Sequence, residues 1–259
     1  MSIITLTTDW NSEDYYIGAF KGKILSLINN AVIVDITHKV IPFNTYHAAF
    51  VLRNSYFHFP GGTIHIILVN TEPSEKYPFL IVKAKGHYFI GADNGVFDLI
   101  INDSPELIIK LNISEYTNLK SYSAFDIFAD AVFAVSQDND ISRLGTPIEM
   151  YNQRTPLRAT IEGKSITGNV IYIDSYMNAI TNITTELFER VRQGRLFEIY
   201  VQSKHYKITI INDFYHQSPV GELLAIFNSA GLLEIAINNG SAARLLNLEL
   251  NSTVRIVFL

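Results

Sequence analysis

Ile64-His65-Ile66-Ile67-Leu68-Val69-Asn70 decides how the first half of the chain is read. Its apolar run is continuous rather than alternating, the pattern of a strand buried on both faces, and it stops at a polar residue. On the N-terminal side, Ala31-Val32-Ile33-Val34 has the same character and gives way to Asp35-Ile36-Thr37-His38. Ile3-Ile4-Thr5-Leu6-Thr7-Thr8-Asp9 opens the chain as a further buried strand. Between these strands, Ile17, Phe20, Ile24 and Leu27 recur at helical spacing behind the acidic turn Glu13-Asp14. A second helix follows Pro42-Phe43-Asn44, with Ala48, Val51, Leu52 and Tyr56 on one face, and Pro60-Gly61-Gly62 ends it. Phe79 to Ala84 and Tyr88 to Gly91 read as a hairpin. A helix through Phe125, Phe128, Ala129, Val132 and Phe133 closes this half. The alternation predicts an α/β domain over residues 1–148, a mostly parallel sheet with helices on both faces.

The stretch around Pro147 and Pro156 is poor in apolar periodicity, which places a linker at 149–164. Over 165–259 the character changes to short strands at Val170–Ile173, Phe197–Val201, Tyr206–Ile211, Leu223–Phe227, Leu232–Ile237 and Val254–Phe258, with one helix near Glu186–Val191. Short strands at even spacing suggest a small all-β barrel or sandwich.

Charged residues make up 17% of the 259, against roughly 25% in an average soluble protein. A surface so short of charge is expected to be covered, most simply by subunit contacts. The 16 Phe and 14 Tyr point the same way, toward large buried or interfacial aromatic clusters. A net charge of −5 without any Lys/Arg run excludes a nucleic-acid footprint. No apolar stretch approaches the length of a membrane span, and the N-terminus lacks a basic leader, so a cytoplasmic protein is expected. The absence of Cys excludes disulfides, thiolate metal centres and a Cys nucleophile.

Familiar fingerprints are missing: no glycine-rich dinucleotide or phosphate loop, no nucleophile elbow, and no paired-ligand His spacing, so no metal is expected. His65, inside an apolar strand, reads as a packed residue, and His38 as one held by a structural hydrogen bond. What stands out is a set of polar clusters at strand ends: Thr7-Thr8-Asp9, Asp35 to His38, Asn70, Asp93-Asn94-Gly95, Asp174 to Asn178 with Thr181-Asn182, and Asn228-Ser229-Ala230-Gly231. Each alone is ordinary turn chemistry. Open α/β sheets nevertheless bind ligands beyond the carboxyl ends of their strands. Asp9 therefore has two readings, an acceptor for a donor-rich ligand such as a ribose diol or a cap for the helix starting near Glu13.

Together these segments resemble the S-adenosyl-L-methionine (SAM) hydroxide adenosyltransferases, hydrolases that form adenosine and methionine and are related to the fluorinase and chlorinase. The matching segments in the first half are Ile4 to Asp9, Gly18 to Gly22, Asp35 to His38, Ala48-Ala49-Phe50, Phe59 to His65 and Asp93-Asn94-Gly95. In the second half they are Ile173-Asp174 through Ile183 and Asn228 through Ala243. The resemblance implies an α/β domain followed by a β-barrel, assembled as a homotrimer, with SAM held between the N-terminal domain of one subunit and the C-terminal domain of the next. It implies no cofactor beyond SAM itself. Carried over by position, Asp9 accepts from the ribose hydroxyls, Asp174 holds the methionine ammonium, Ser229 contacts its carboxylate and Asn178 reads the adenine edge. Phe43, Tyr176 and one of Phe214 or Tyr215 supply aromatic walls, and Asn238 joins the binding set. Carboxylates and π-faces suit a ligand carrying a sulfonium, an ammonium and a flat purine.

The family's water-orienting trio, an Asp ending the third strand, an Arg seven residues on and a His before a helix, falls on Asn70, Tyr77 and Ser123. Within Tyr122-Ser123-Ala124-Phe125-Asp126 only Asp126 keeps its place. Asn70 can align a water but cannot take its proton. Lys76, Glu72, Glu75 and His47 are the candidate replacements. Two readings stay open at this point: a hydrolase of SAM, or a catalytically weak SAM- or adenosine-binding protein that senses or sequesters its ligand. Halogenation is disfavoured, since Ala124 occupies the position of the fluorinase's small hydroxyl residue and its long inserted loop is missing.

Overall fold

The structure is a computed structural model that describes residues 2–72, 74–113, 123–137 and 141–259, without the side chains of Ser123, Lys204 and His205. It divides into two compact units, Met1–Pro156 and Leu157–Leu259.

The first unit is built from β1 (Ile3–Thr8), α1 (Tyr15–Leu27), β2 (Val32–Thr37), α2 (Thr45–Arg53), β3 (Ile64–Leu68), β4 (Phe79–Ala84), β5 (His87–Ala92), α3 (Val96–Ile100), β6 (Leu107–Leu111), α4 (Ser123–Ser136) and β7 (Gly145–Pro147). The strands form one sheet in the order β2-β1-β3-β5-β4-β6-β7. Ile4, Leu6, Phe20, Ile24 and Phe128 bury one face under α1 and α4. Ala48, Leu52, Ile67, Val82 and Phe97 bury the other under α2 and α3.

The expected mostly parallel sheet is in fact mixed. β2, β1, β3 and β5 run parallel, whereas β4, β6 and β7 add antiparallel ladders. The β4–β5 connection explains this. Lys85 and Gly86 join the two strands with φ of +54° and +75°, a two-residue turn that can only return the chain antiparallel. The run Ala31–Val34 behaves differently from Ile64–Val69. β3 is buried throughout, but β2 lies at the sheet edge, half-buried, and continues through Asp35 to Thr37. The helix expected through Tyr56 stops at Arg53, and Tyr56 enters a separate 3₁₀ turn, Tyr56–His58.

The second unit comprises β8 (Thr160–Glu162), β9 (Ser165–Ile173), β10 (Ala179–Thr184), α5 (Thr185–Arg192), β11 (Phe197–Val201), β12 (Ser203–Ile208), β13 (Ile211–Asn212), β14 (Leu223–Phe227), β15 (Leu232–Ile237), α6 (Ala242–Leu245) and β16 (Thr253–Phe258). Its sheet runs β12-β11-β16-β9-β10-β15-β14-β13, with β8 on β9. β12 comes back near β14, so the sheet is nearly closed on a core of Phe188, Ile199, Leu233, Ile235 and Ile256. This nearly closed sheet is barrel-like. No helix among the described residues is long and apolar enough to cross a membrane.

Candidate active site

Asp9 does not cap the first helix. α1 begins at Tyr15 behind Asp14, and the Asp9 side chain turns instead to two other loops. Its Oδ2 accepts from the backbone N–H of Phe43 at 2.9 Å and of Asn70 at 3.4 Å. Both donors sit in left-handed backbone, with φ of +63° at Phe43 and +49° at Asn70. A non-glycine residue pays about 1–2 kcal/mol for that conformation, which at Phe43 the short bond to the carboxylate is large enough to offset. Among the described residues no group donates to Asp9 Oδ1. Three residues separated by up to 61 positions are thus brought together at the carboxyl ends of β1 and β3, with the Phe43 ring exposed beside them.

Behind this cluster, Thr8 Oγ1 lies 3.0 Å from His38 Nδ1 and His38 Nε2 lies 3.1 Å from Asp35 Oδ1. Lys21 Nζ donates to Asp35 Oδ2 at 2.6 Å. His38 is therefore a structural bridge between β1 and the end of β2. His47 is also engaged locally. Its Nδ1 accepts from Ile41 N at 3.1 Å, which places the neutral ring's proton on Nε2. Burial holds His47 below its ordinary pKa. Tyr77 is held by Ser74, whose hydroxyl and carbonyl accept its N–H at 3.0 and 3.1 Å. The Lys76 ammonium lies 5.1 Å from the centre of the Tyr77 ring. Ser123 opens α4, and its side chain lies outside the described residues. Asp126 pairs with Lys23 at 2.7 Å, tying α4 to α1.

The second unit carries the remaining candidates. Asp174 directly follows β9 and organises the turn there. Its Oδ1 accepts from Tyr176 N at 2.9 Å and Asn178 N at 2.8 Å, and its Oδ2 from Asn178 Nδ2 at 3.1 Å. Tyr176 is left 77% exposed, while Asn178 is buried. Phe214, Tyr215 and Asn238 line an open cleft of about 600 Å³ with Ser218, Pro219 and Val220. Asn238 Nδ2 donates to Ser218 O at 2.7 Å, closing one end of it. Ser229 is exposed at the tip of a turn built by Asn228, whose Oδ1 accepts from Ala230 N at 3.0 Å and Leu232 N at 3.2 Å.

Sequence reasoning missed Glu234. It is buried on β15, accepts from the Tyr215 hydroxyl at 2.6 Å and from Asn228 Nδ2 at 3.2 Å. Burial, then the bond to Glu234, raises the Tyr215 pKa above its ordinary value. An acid inside the apolar run Leu232–Ile237 was the available signal, since a charge at an inward position is rare unless paired. Among the described residues no group of three or more His, Asp or Glu could hold a metal ion.

Residues 4–145 match the family model for the SAM hydroxide adenosyltransferase N-terminal domain, and residues 168–255 match that for the C-terminal domain. The chain belongs to the SAM hydroxide adenosyltransferase family. The chain is 27% identical to a protein of Methanocaldococcus jannaschii named (R)-S-adenosyl-L-methionine hydrolase, covering 100% of this chain and 97% of that one. A Thermus thermophilus protein of the same name is also 27% identical, over 99% and 100% of the two chains. The fold matches the crystal structure of an uncharacterized conserved protein from Thermotoga maritima with a TM-score of 0.85, at 26% identity over 99% and 100% of the chains.

Proposed function

We propose that this chain hydrolyses SAM to adenosine and L-methionine. The carrying observation is full-length similarity to proteins named (R)-SAM hydrolase, together with the match to both domain models of the family. In the proposed reaction a water oxygen attacks C5′ of the ribose in line with the sulfonium. The C5′–S bond breaks, its electron pair leaves with the methionine thioether, and the water proton is released to solvent. A sulfonium departs without protonation, so what falls to the protein is to bind, orient and exclude competing water.

Asp9 Oδ1 accepts from the ribose hydroxyls, and the free oxygen described above supports that role. Asp174 holds the ammonium, Ser229 the carboxylate and Asn178 the adenine edge through its Oδ1, its Nδ2 being engaged by Asp174. Phe43, Tyr176 and the Phe214–Tyr215 pair provide the aromatic walls, and Asn238 shapes the cleft. Asn70, Tyr77 and Ser123 take the positions where related hydrolases orient the water. The proposal needs no cofactor or metal, and its working form is a cytoplasmic homotrimer.

The test is to incubate the purified protein with SAM, following adenosine and methionine by chromatography with a thermal-shift titration alongside. Equimolar products support the hydrolase. Stabilisation without product turns the reading to a SAM-binding protein, and no stabilisation with no product sinks both.

A further inference from the structure

Residues Tyr151–Thr155, inside the stretch expected to be a linker, are fastened to the first unit. Tyr151 sits half-buried against Phe97, ring centres 6.0 Å apart. Asn152 N donates to both oxygens of Asp93, at 2.8 and 3.0 Å. Arg154 N donates to Asp98 Oδ2 at 2.8 Å, its Nη1 to Asn94 O at 3.2 Å, and its guanidinium lies 4.8 Å from the centre of the Tyr46 ring. Tyr46 in turn donates its hydroxyl to Thr155 O at 3.1 Å. The segment is a strap across the turn Asp93-Asn94-Gly95 at the carboxyl end of β5.

The strap reaches the segment that carries positions 70 and 77. Asn152 Nδ2 uses its two hydrogens on Asp93 O at 2.7 Å and Lys76 O at 3.0 Å. At the other end, Asn94 Nδ2 donates to Val69 O at 3.0 Å and Asn70 O at 3.3 Å. One turn and one strap side chain therefore fix the beginning and the end of this segment. The two ties differ in what they spare. Removing the Asn152 amide frees Lys76 O and Asp93 O but leaves Asn152 N on both oxygens of the buried Asp93 side chain, so the strap stays docked.

We propose that Asn152 is a positioning residue for the hydrolysis of SAM, acting through Lys76 to fix the backbone beside Tyr77. The inference rests on the hydrolase reading above and adds to it a residue outside the trio positions and the ligand contacts.

The experiment compares full-length Asn152→Ala with the wild-type chain by steady-state kinetics on SAM and by hydrogen exchange of the amides at 74–77. The expected result is faster exchange there and a kcat lowered by about 10- to 100-fold, the scale of a 1 Å misplacement. KM should stay within about threefold, because the ligand-binding groups are untouched. A kcat equal to wild type overturns the proposal, as does unchanged exchange, and a KM rise alone shows a binding role instead. Absence of product from the wild-type chain marks failure of the hydrolase reading and not of the tie. The tie is then judged by exchange: faster exchange in Asn152→Ala supports it and unchanged exchange overturns it.

Discussion

Replacing Asp9 by Ala and by Asn separates its two roles. Ala removes the acceptor from Phe43 N at 2.9 Å and from Asn70 N at 3.4 Å. A bond to a charged acceptor contributes about 1.5–3 kcal/mol, less where water can take over the donor, as it can at the exposed Phe43. The longer bond to Asn70 is near the geometric limit and adds little. The net loss is therefore about 1–2 kcal/mol, which for a chain of this size lowers Tm by roughly 2–8 °C. Asn keeps an amide oxygen for the two N–H groups, so its Tm should fall by less than half as much. What Asn cannot keep is a second acceptor oxygen for the ribose. Losing a charge-assisted bond there weakens SAM binding by about 10- to 100-fold, or 1.4–2.8 kcal/mol. Thermal unfolding of both variants, with calorimetric titration of SAM into Asp9→Asn, reads the two effects independently. An Asn variant that binds SAM as tightly as the wild type would falsify the ribose assignment. An Ala variant with unchanged Tm would show that the bonds to Phe43 and Asn70 carry no stability.

Glu234→Gln should destabilise the second unit by about 1–3 kcal/mol, measured by urea unfolding. Its one amide oxygen must stay with the Asn228 NH₂, which cannot turn away without releasing Ala230 N and Leu232 N, so its new NH₂ meets the Tyr215 oxygen and the Tyr215 proton loses its carboxylate acceptor; an unchanged midpoint refutes a stabilising role for that charged bond. His65, fully buried with Nδ1 on Thr5 Oγ1 and Nε2 on His87 Nδ1, is pushed by burial down to about 3. The unfolded chain therefore binds this proton first. Its stabilisation is complete above pH 6.5 and falls toward pH 3 by at most about 1.4 kcal/mol per unit. Asp93, raised by burial to about 6, acts in the opposite sense between pH 4 and 6. The measurement is accordingly the difference in unfolding free energy between wild type and His65→Gln across pH 5–7, and a flat difference contradicts the assignment. Gly95→Ala should cost about 1–2 kcal/mol for its φ alone, here +88°. It should also speed exchange of the strap amides, because the new Cβ lies 2.9 Å from Arg154 Cδ; unaltered exchange shows that Arg154 moves aside freely.

The strands that were legible are those whose partners do not change their pattern. Phe197–Val201, Leu223–Phe227 and Leu232–Ile237 run as expected because their alternation or apolar density suits a closed sheet wherever they lie in it. The apolar run of β2 says nothing about edge or centre, since that depends on which strand order the sheet adopts. β10 is hidden because Thr181 and Asn182 read as part of a polar cluster at a strand end, whereas Thr181 donates to Leu233 O at 2.9 Å inside the core. Asp9 was visible as a candidate, but its partners are 34 and 61 residues away and leave no local mark. The same holds for Asn152, whose anchor Asp93 lies 59 positions back.

Among the described residues, position 70 is held only by its backbone, its N–H on Asp9 and its carbonyl on the Asn94 amide, and this bears on how the family's chemistry can drift. The anchor is indifferent to the side chain there, so the loop geometry is insulated from changes in the reacting group. The left-handed conformation still filters what can occupy the site, admitting Asn, Asp and Gly far more readily than any branched or bulky residue. Exchange between the acid that the family resemblance places at this position and the Asn present here is therefore a move the backbone permits in either direction.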